Sequence, residues 1–520
     1  MNVQSANKTH LSIVFVASEL APFSKFGGVG DVAWALPSAL HALGHTVRIV
    51  TPKYASIDEK KFGLVKYKEG LTIKTEKAEI ISNVKTANLP GGIEVYFIEN
   101  MEYYELRANF YGYKDDARRF ALLSKATLEL VKSEDWHVDV IHANDWMTGY
   151  VPNYLKVEYK DDPKLNTIAS VFTIHNLAYQ GINKRELKQS DIDTGTGPLP
   201  DLYDDKILYV NGVLRGVMYS DYISTVSDAY AREILTPEYG EGLNKVLQEM
   251  RNKLVGIRNG IDYSILSPDI DKNIYVNYDI HTLDKRVQNK LAFQKEFNLE
   301  INPDIPLVGF VGRFSEQKGL GLFHDTIEPL LKNINFQFAI VGGGEDYWEK
   351  FFEKLMKKYP KRVGGYLMIS TTFGQRLYAS CDILLHPSKF EPCGIAHAIA
   401  MHFGAVPVVR KTGGLIDSVI DYNADPVHGD GYMFEEFDEM AFLIQVVNAL
   451  AMYRSNKKEW AKIQHRAMKK DLSWTLSAVK YVDLYHKAID RHNKWMKKEG
   501  IILADSPIEV PGYSSIDILS

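Results

Sequence analysis

The chain has 520 residues, of which 45% are hydrophobic and 24% are charged, as in an average folded globular protein. This composition excludes a mainly disordered or fibrous chain, and the length predicts two or three domains. The 61 basic and 66 acidic residues give a formal net charge of −5, so we expect no nucleic-acid partner and no attraction to an anionic membrane.

Only two cysteines occur, Cys381 and Cys393. They could form at most one disulfide, which excludes a disulfide-rich secreted scaffold and favours a reducing compartment. No apolar run approaches the roughly 20 residues that cross a bilayer. The apolar run at 12–17 is interpreted as a β-strand rather than a secretory signal, because Ser18 and Glu19 interrupt it at once. We therefore predict a cytoplasmic protein.

The first half of the chain begins with a βαβ pattern. The strand at 12–17 is followed by a glycine-rich turn, a helix over 31–43 with a predicted kink at Pro37, and a strand over 46–50. This order favours a doubly wound α/β domain with a parallel sheet. Further short apolar runs are typical of buried parallel strands, and they lie at 140–143, 170–174, 222–226 and 255–257.

The second half repeats this rhythm after a polar stretch over about 264–282, which is the best linker candidate. Strands are predicted at 306–312, 338–342, 366–370, 382–386 and 406–409, alternating with helical segments. A long amphipathic helix is predicted from Trp474 to about Trp495. We assign one domain to 11–268, a second to 269–491 whose last helix packs back on the first, and a tail to 492–520.

One pattern occurs twice. Lys25-Phe-Gly-Gly-Val-Gly-Asp31 and Lys411-Thr-Gly-Gly-Leu-Ile-Asp417 share the spacing K-x-G-G-apolar-x-D, each between a strand-like and a helix-like run. A match of this length also arises by chance, so it lends only light support to two related domains.

The first of these segments is a candidate anion site. Glycines without side chains permit positive φ and close approach of the backbone to a ligand, and the free N–H groups of a helix start favour an anion. Lys25 adds a positive charge. The spacing matches neither the dinucleotide-binding pattern nor the P-loop, and a tight structural turn is the alternative.

Two further candidate segments follow predicted strands of the second half, where open α/β sheets bind ligands. Arg313 and Lys318 could neutralise a departing diphosphate, or they could belong to a solvated charged loop. Glu391 lies in Phe-Glu-Pro-Cys-Gly (390–394), a turn before a helix that could hold a polar ligand. Cys393 is interpreted as a packing residue rather than a nucleophile, because no histidine partner is evident.

Histidines end two strands of the first half. His175 closes the run at 170–174, while His142 and Asp145 end the neighbouring one. Each histidine could donate to a ligand, although a lone histidine is more often a satisfied structural residue. Neither the histidines nor the cysteines have the spacing of a zinc site, so we predict no metal and no cofactor.

These segments in this order resemble the bacterial glycogen synthases and plant starch synthases. The matching stretches span 18–419, within a similarity from about 12 to 490, and read SELAPFSKFGGVGDV, HANDWMTGY, FTIHNLAYQG, TVSDAYAREI, IRNGID, GRFSEQKGL, PSKFEPCGI and RKTGGLIDSV. The resemblance implies GT-B architecture, an α/β fold of two Rossmann-like doubly wound domains facing across a deep cleft. It implies retaining transfer of glucose from ADP-glucose to the non-reducing end of an α-1,4-glucan acceptor.

The resemblance also implies roles for individual residues. Arg313 and Lys318 would stabilise the departing nucleotide, Glu391 would hold sugar hydroxyls, and His175 would hydrogen-bond the glucose near its anomeric carbon. The substrate-binding set that it implies comprises Lys25, Gly27, Gly28, Asp31, Asp145, Asn259 and the backbone N–H groups of Cys393, Gly394 and Ile395.

The chain departs from the family at several binding positions. Asn144 and Met147 stand where histidines are common, Phe26 and Val29 alter the glycine loop, and Ile395-Ala396-His397 replaces Leu-Thr-Gln. Ile369 replaces the aromatic residue expected near the base of the donor. Three alternatives therefore stay open: UDP-glucose as donor, a different acceptor, or a relative that binds glucan or nucleotide without turnover.

Overall fold

The computed structural model describes residues 10–182 and 192–501. These residues form two compact units. The first unit contains the described residues up to Val226, Ala231–Ile257 and the described residues from Ser477 onward, and the second contains Ser227–Tyr230 and Arg258–Leu476. No helix within this described part is long and apolar enough to cross a membrane. The domain boundaries assigned from the sequence stay predictions.

The first unit is built on a nine-stranded sheet with the order β3-β4-β5-β2-β1-β6-β7-β8-β9. Its strands are β1 Ser12–Val16, β2 Thr46–Pro52, β3 Val65–Lys74, β4 Glu79–Asn88, β5 Glu94–Glu99, β6 Val140–Asn144, β7 Ala169–Ile174, β8 Tyr222–Thr225 and β9 Leu254–Gly256. β3, β4 and β5 pair antiparallel, and the other pairs are parallel. Because β1, β6 and β7 are buried on both faces, their apolar runs are continuous rather than alternating.

The helices of this first half are α1 Gly28–Ala42, α2 Glu59–Phe62, α3 Asp116–Ser133, α4 Asp145–Thr148, α5 Tyr150–Val157, α6 Gly212–Tyr219, α7 Asp228–Glu233 and α8 Asn244–Glu249. α1 ends where Gly44 takes a left-handed conformation, with φ of 95°. It continues through Pro37.

The second unit contains a six-stranded, wholly parallel sheet with the order β12-β11-β10-β13-β14-β15. Its strands are β10 Leu307–Val311, β11 Gln337–Val341, β12 Val363–Tyr366, β13 Ile383–His386, β14 Val406–Arg410 and β15 Tyr432–Phe434. Its helices are α9 Arg286–Glu296, α10 Gly321–Asn333, α11 Asp346–Lys358, α12 Thr371–Ser380, α13 Ala396–His402, α14 Gly414–Ser418, α15 Glu439–Ser455 and α16 Lys457–Lys469.

The last helix, α17 Trp474–Lys498, is joined to the first unit from Ser477 onward. Tyr485 contacts Nδ1 of His142 on β6 through its hydroxyl at 2.9 Å. Nδ1 of His492 lies 2.6 Å from the ammonium of Lys156 and 3.2 Å from the carboxylate of Asp221. Since Tyr485 and His492 are buried, their polar atoms are satisfied by these specific partners rather than by water.

The predicted α/β class is confirmed, with two largely parallel sheets. One predicted strand is wrong: the run at 366–370 shares only Tyr366 with β12, and Met368 and Ile369 are 62% and 76% exposed. The strand itself contains Gly364 and Gly365, because a Cβ on Gly365 would lie 1.9 Å from the carbonyl oxygen of Ile340. The prediction from apolar content therefore selected the exposed loop after the strand instead of the glycine-containing strand itself.

Candidate active site

The candidate residues of the first unit follow three neighbouring strands. β1 pairs with β6, and β6 pairs with β7, in parallel, so the carboxyl ends of these strands lie at one edge of the sheet. The glycine loop follows β1, Asp145 follows β6, and His175 follows β7.

Glu19 organises the glycine loop. Its buried carboxylate accepts hydrogen bonds from the backbone N–H groups of Phe26 at 2.6 Å and Gly27 at 2.8 Å, and from the hydroxyl of Tyr111 at 3.0 Å. The amide of Gly27, one of the predicted substrate-binding residues, therefore donates to the protein. Glu19 was not predicted as a site residue, although an acid three residues after the buried strand β1 was a signal for it.

The glycines of the loop act through their lack of a side chain. Gly27, Gly28 and Gly30 are not among the glycines with positive φ in the described chain, so the loop does not use the left-handed backbone that glycine permits. A Cβ on Gly30 would lie 3.2 Å from Oε2 of Glu19, which leaves little room for one. A Cβ on Gly28 would meet nothing within 4 Å, so the first residue of α1 presents open backbone.

Lys25 forms an ion pair with Asp31 at 2.7 Å, and both side chains stay about half exposed, at 51% and 41%. Water screens a pair of this kind, so it contributes little to folding. Lys25 is accessible to an anion, at the start of a 15-residue helix whose first N–H groups have no side-chain cap.

Asp145 has a left-handed backbone conformation and a raised pKa. Its φ is 56°, and its Oδ1 accepts hydrogen bonds from the backbone N–H groups of His175 at 2.7 Å and Asn176 at 3.4 Å. Burial raises the pKa of Asp145 to about 7; the two backbone hydrogen bonds oppose that shift and the charge of Glu19 adds to it. Asp145 is therefore divided between its acid and carboxylate forms near neutral pH.

His175 is held in its neutral form. Burial lowers its pKa to about 4, and its Nε2 lies 2.9 Å from Oδ1 of Asn144. An uncharged imidazole can hydrogen-bond a sugar without adding a second positive charge beside a developing oxocarbenium centre.

In the second unit, Lys318 and Glu391 are brought into contact. They follow β10 and β13, which are parallel neighbours. Oε2 of Glu391 receives three hydrogen bonds, from Nζ of Lys318 at 2.5 Å, Nε2 of His386 at 2.9 Å and Oγ of Ser388 at 2.8 Å. Oε1 has no hydrogen-bond partner among the described residues, which leaves it available to a ligand hydroxyl.

The charge on Glu391 is stabilised by its donors. Burial alone would raise its pKa, but the positive charge of Lys318 and the hydrogen bonds from His386 and Lys318 hold it well below its usual range. His386 and Ser388 were not predicted as site residues, because the sequence does not show which side chains turn toward Glu391.

The loop that carries Arg313 and Lys318 is fixed by a glycine. Gly319 has φ of 72°, and a Cβ there would lie 1.9 Å from the carbonyl oxygen of Pro387, so only glycine allows the two loops to touch. Arg313 is exposed and has neither an ion pair nor a hydrogen bond within the part of the chain that the structure describes. Its guanidinium is available to an anion.

The turn after Glu391 presents backbone donors. Within residues 10–182 and 192–501, the N–H groups of Cys393, Gly394 and Ile395 donate to no protein acceptor. Burial raises the pKa of Cys393 to about 12, so its sulfur stays a neutral thiol, which favours packing over nucleophilic attack. Asn259 is also buried, and its Oδ1 lacks a hydrogen-bond partner among the described groups.

Three carboxylates converge in the first unit, those of Glu59, Glu99 and Glu105. Each is paired with a lysine: Lys53 pairs with Glu59 and Glu105, and Lys85 pairs with Glu59 and Glu99. The arrangement is an ion-pair network rather than a set of free ligands.

Comparison with known proteins covers nearly the whole chain. Residues 12–249 match the family model of the starch synthase catalytic domain, and residues 293–464 match that of glycosyl transferases group 1. Two glycogen synthases are each 38% identical to the chain. That of Moorella thermoacetica aligns with 94% of this chain and 99% of its own, and that of Thermotoga maritima with 92% and 99%.

Solved structures are similar as well. The catalytic domain of starch synthase IV from Arabidopsis thaliana, bound to ADP and acarbose, is 30% identical, covers 93% of this chain and 100% of its own, and superposes with a TM-score of 0.82. The sucrose-phosphate synthase of Thermosynechococcus elongatus, at 16% identity and a TM-score of 0.55 over 92% of this chain and 100% of its own, shares the fold.

Proposed function

This chain belongs to the glycogen and starch synthase family of glycosyltransferases, and on that premise we propose that it transfers glucose from ADP-glucose to the non-reducing end of an α-1,4-glucan. The observation that carries the proposal is the ion pair between Lys318 and the buried Glu391, beside which one carboxylate oxygen and three backbone amides have no protein partner among the described residues. The ADP and acarbose bound to the Arabidopsis starch synthase domain support a nucleoside-diphosphate donor and a glucan acceptor.

In this reaction the donor diphosphate is neutralised by cations. Lys318 uses one of its three N–H donors on Glu391 and retains two for phosphate oxygens. Arg313 supplies a guanidinium without a protein partner among the described residues, and Lys25 adds the charge at the start of α1. Fixed cations of this kind stabilise the charge that develops on a leaving diphosphate.

The sugar is bound by further groups in this proposal. Oε1 of Glu391 accepts hydrogen bonds from glucose hydroxyls, and the N–H groups of Cys393, Gly394 and Ile395 donate to the donor. His175 and Asp145 contact the glucose and the acceptor, and Asn259 lies on the donor side. Each of these roles is part of the proposal.

The bond changes balance without a metal. The bond between C1 of glucose and the β-phosphate oxygen breaks, and a new bond forms from C1 to the O4 oxygen of the acceptor. The acceptor hydroxyl gives its proton to the departing phosphate. The sequence motifs assign no carboxylate nucleophile to the anomeric carbon, so we propose that the acceptor attacks on the face that the diphosphate leaves, which retains the configuration. Kinetic trapping of a covalent glycosyl-enzyme would contradict this step.

The test is a donor and acceptor assay on the purified chain. ADP-glucose or UDP-glucose is offered with glycogen, and nucleotide release and glucan growth are measured together. We expect ADP release matched by glucose incorporation. Faster turnover with UDP-glucose would show that Ile369 accompanies a changed base preference, and release without incorporation would show a different acceptor. No release with either donor would contradict the proposal and favour a binding-only relative. The cytoplasmic location stays a prediction.

A further inference from the structure

The side-chain amide of Asn144 has one orientation that satisfies its surroundings. Its nitrogen lies 3.1 Å from the carbonyl oxygen of Val16 and 3.3 Å from that of His142. Carbonyl oxygens only accept hydrogen bonds, so the NH₂ group must face them. The amide oxygen, Oδ1, therefore faces His175.

This orientation decides which nitrogen of His175 carries the hydrogen. Oδ1 of Asn144 can only accept, and it lies 2.9 Å from Nε2 of His175, so Nε2 is the protonated nitrogen. A neutral imidazole has one N–H, and Nδ1 is then a bare acceptor. No described residue forms a hydrogen bond with Nδ1.

We propose that Asn144 is a positioning residue that holds His175 in the Nε2–H tautomer, so that Nδ1 accepts a hydrogen bond from a hydroxyl of the bound sugar. The second half of this statement rests on the proposed function, which supplies the sugar. It assigns a direction to the contact: the sugar must donate.

The other polar groups near His175 do not set its tautomer, because each is already bonded elsewhere. His142, on the adjacent strand, is neutral because burial lowers its pKa to about 3, and its two nitrogens already contact Tyr485 and Thr173. Asp145 accepts the backbone N–H of His175 rather than its ring. Glu19 is bonded to the glycine loop and Tyr111.

An amide at position 144 has a consequence that a histidine would not have. A histidine at this position would donate or accept according to its own tautomer, because either imidazole nitrogen can carry the hydrogen. The amide of Asn144 has fixed polarity once its nitrogen is bonded to two carbonyls. Asn144 is therefore a partner of fixed direction for His175.

The first experiment reads the tautomer directly, without substrate. Nitrogen NMR of the full chain with labelled histidine distinguishes Nε2–H from Nδ1–H, and the His175→Gln variant identifies the signal. We expect Nε2–H in the wild type and a mixture of both tautomers in Asn144→Leu. The matched control is Asn153→Leu, another buried asparagine of the first unit, which donates to the carbonyl of Gly197. It should leave the His175 signal unchanged.

Two results would overturn the proposal. One is Nδ1–H in the wild type, and the other is an unchanged tautomer in Asn144→Leu. Both are readable even if the chain transfers no glucose, so failure of this inference is distinct from failure of the proposed function.

The second experiment tests the direction of the sugar contact. Asn144→Leu should lower kcat/KM about tenfold, the worth of one hydrogen bond, while Asn153→Leu should not. Deoxy and deoxyfluoro analogues of the donor glucose are then compared. One hydroxyl should be identified by its deoxy analogue, which lowers kcat/KM in the wild type but not in His175→Ala. At that position the fluoro analogue should lower kcat/KM as much as the deoxy analogue, because fluorine cannot donate a hydrogen bond. A fluoro analogue as good as glucose there would show that the sugar accepts instead.

Discussion

The two K-x-G-G segments have the same spacing and different structural roles. In the first segment Lys25 pairs with Asp31 of the same segment at 2.7 Å, and the helix that follows has 15 residues. In the second, Lys411 pairs with Glu435 at 3.2 Å, while Asp417 accepts the backbone N–H of Ala229 at 3.0 Å, and the helix has five residues. The lysine and the acid are thus partners in only one of the two segments.

The second glycine of each segment, Gly28 or Gly414, has very different space around it. A Cβ on Gly28 would meet nothing within 4 Å, whereas a Cβ on Gly414 would lie 2.0 Å from the carbonyl oxygen of Cys393. The N–H of Gly414 donates to the carbonyl of Glu391 at 3.1 Å. The first segment therefore offers open backbone to a ligand, and the second supports the turn that contains Glu391 and Cys393. What lies opposite a glycine pair, rather than its spacing, sets its role.

The largest effect is expected for Gly414→Ala. The added methyl group overlaps backbone that cannot rotate away, so we expect the second unit to lose about 3 kcal/mol or more of unfolding free energy. Activity should fall at least a hundredfold, because the turn with Glu391 must move. Urea unfolding and the glucosyl-transfer assay measure the two losses. Gly321→Ala, at the open first residue of α10, is the stability control. A Gly414→Ala protein with wild-type stability would remove the distinction between the segments.

Lys318→Ala removes the cation that pairs with Glu391, which lies in the turn that Gly414 supports. We expect kcat to fall about a thousandfold, because a fixed cation no longer meets the leaving diphosphate. Stability should also fall, by about 3 kcal/mol at neutral pH, because the Glu391 carboxylate is buried and loses its charged partner. Steady-state kinetics and urea unfolding measure both.

The stability difference should depend on pH. Glu391 has a pKa below its ordinary value of 4.5 in the folded protein, so its contribution is present above about pH 4.5 and is lost as the pH falls toward its folded pKa. The gap between wild type and Lys318→Ala should therefore close in acid. A constant gap would show that the pair is not its source. Lys332→Ala, which removes a surface ion pair with Glu328, is the control and should change neither quantity.

Much of the fold could be predicted because buried parallel strands give continuous apolar runs. β1, β6, β7, β10, β11 and β13 were placed within a residue or two of their observed bounds. β3, β4 and β5 were not predicted. Most side chains of β3 are exposed or half-buried, so its sequence lacks the apolar run on which the prediction depended.

Only those site residues that follow a predicted strand could be found from the sequence. Lys318 and Glu391 were singled out separately because each follows a predicted strand, and parallel pairing of β10 with β13 brings them together. The partners Glu19 and His386 depend on the direction in which a side chain turns, which spacing does not show. The roles of all these residues in turnover stay predictions.

A smaller effect is expected for the lysine of the first segment. Lys25→Ala should lower kcat/KM for ADP-glucose about thirtyfold, by removing one charge from the donor diphosphate. Its melting temperature should be unchanged, since the pair with Asp31 is half exposed. Lys411→Ala is the matched control: Lys411 is about as exposed as Lys25 and also forms an ion pair, with Glu435, and neither activity nor melting temperature should change. Equal kinetic losses in the two variants would mean that both lysines serve the donor.

The smallest effect is expected for Gly28→Ala, and it should have opposite signs in folding and in binding. Alanine is the better helix former, so the variant should be more stable by up to about 1 kcal/mol, as Gly321→Ala should be at the start of α10. KM for ADP-glucose should nevertheless rise several-fold, because the methyl group occupies the open space in which the donor would approach the backbone. Thermal unfolding and donor titrations separate the two. If stability rises and KM is unchanged, the open backbone at Gly28 does not face the donor, and the first segment is only a helix start like the second.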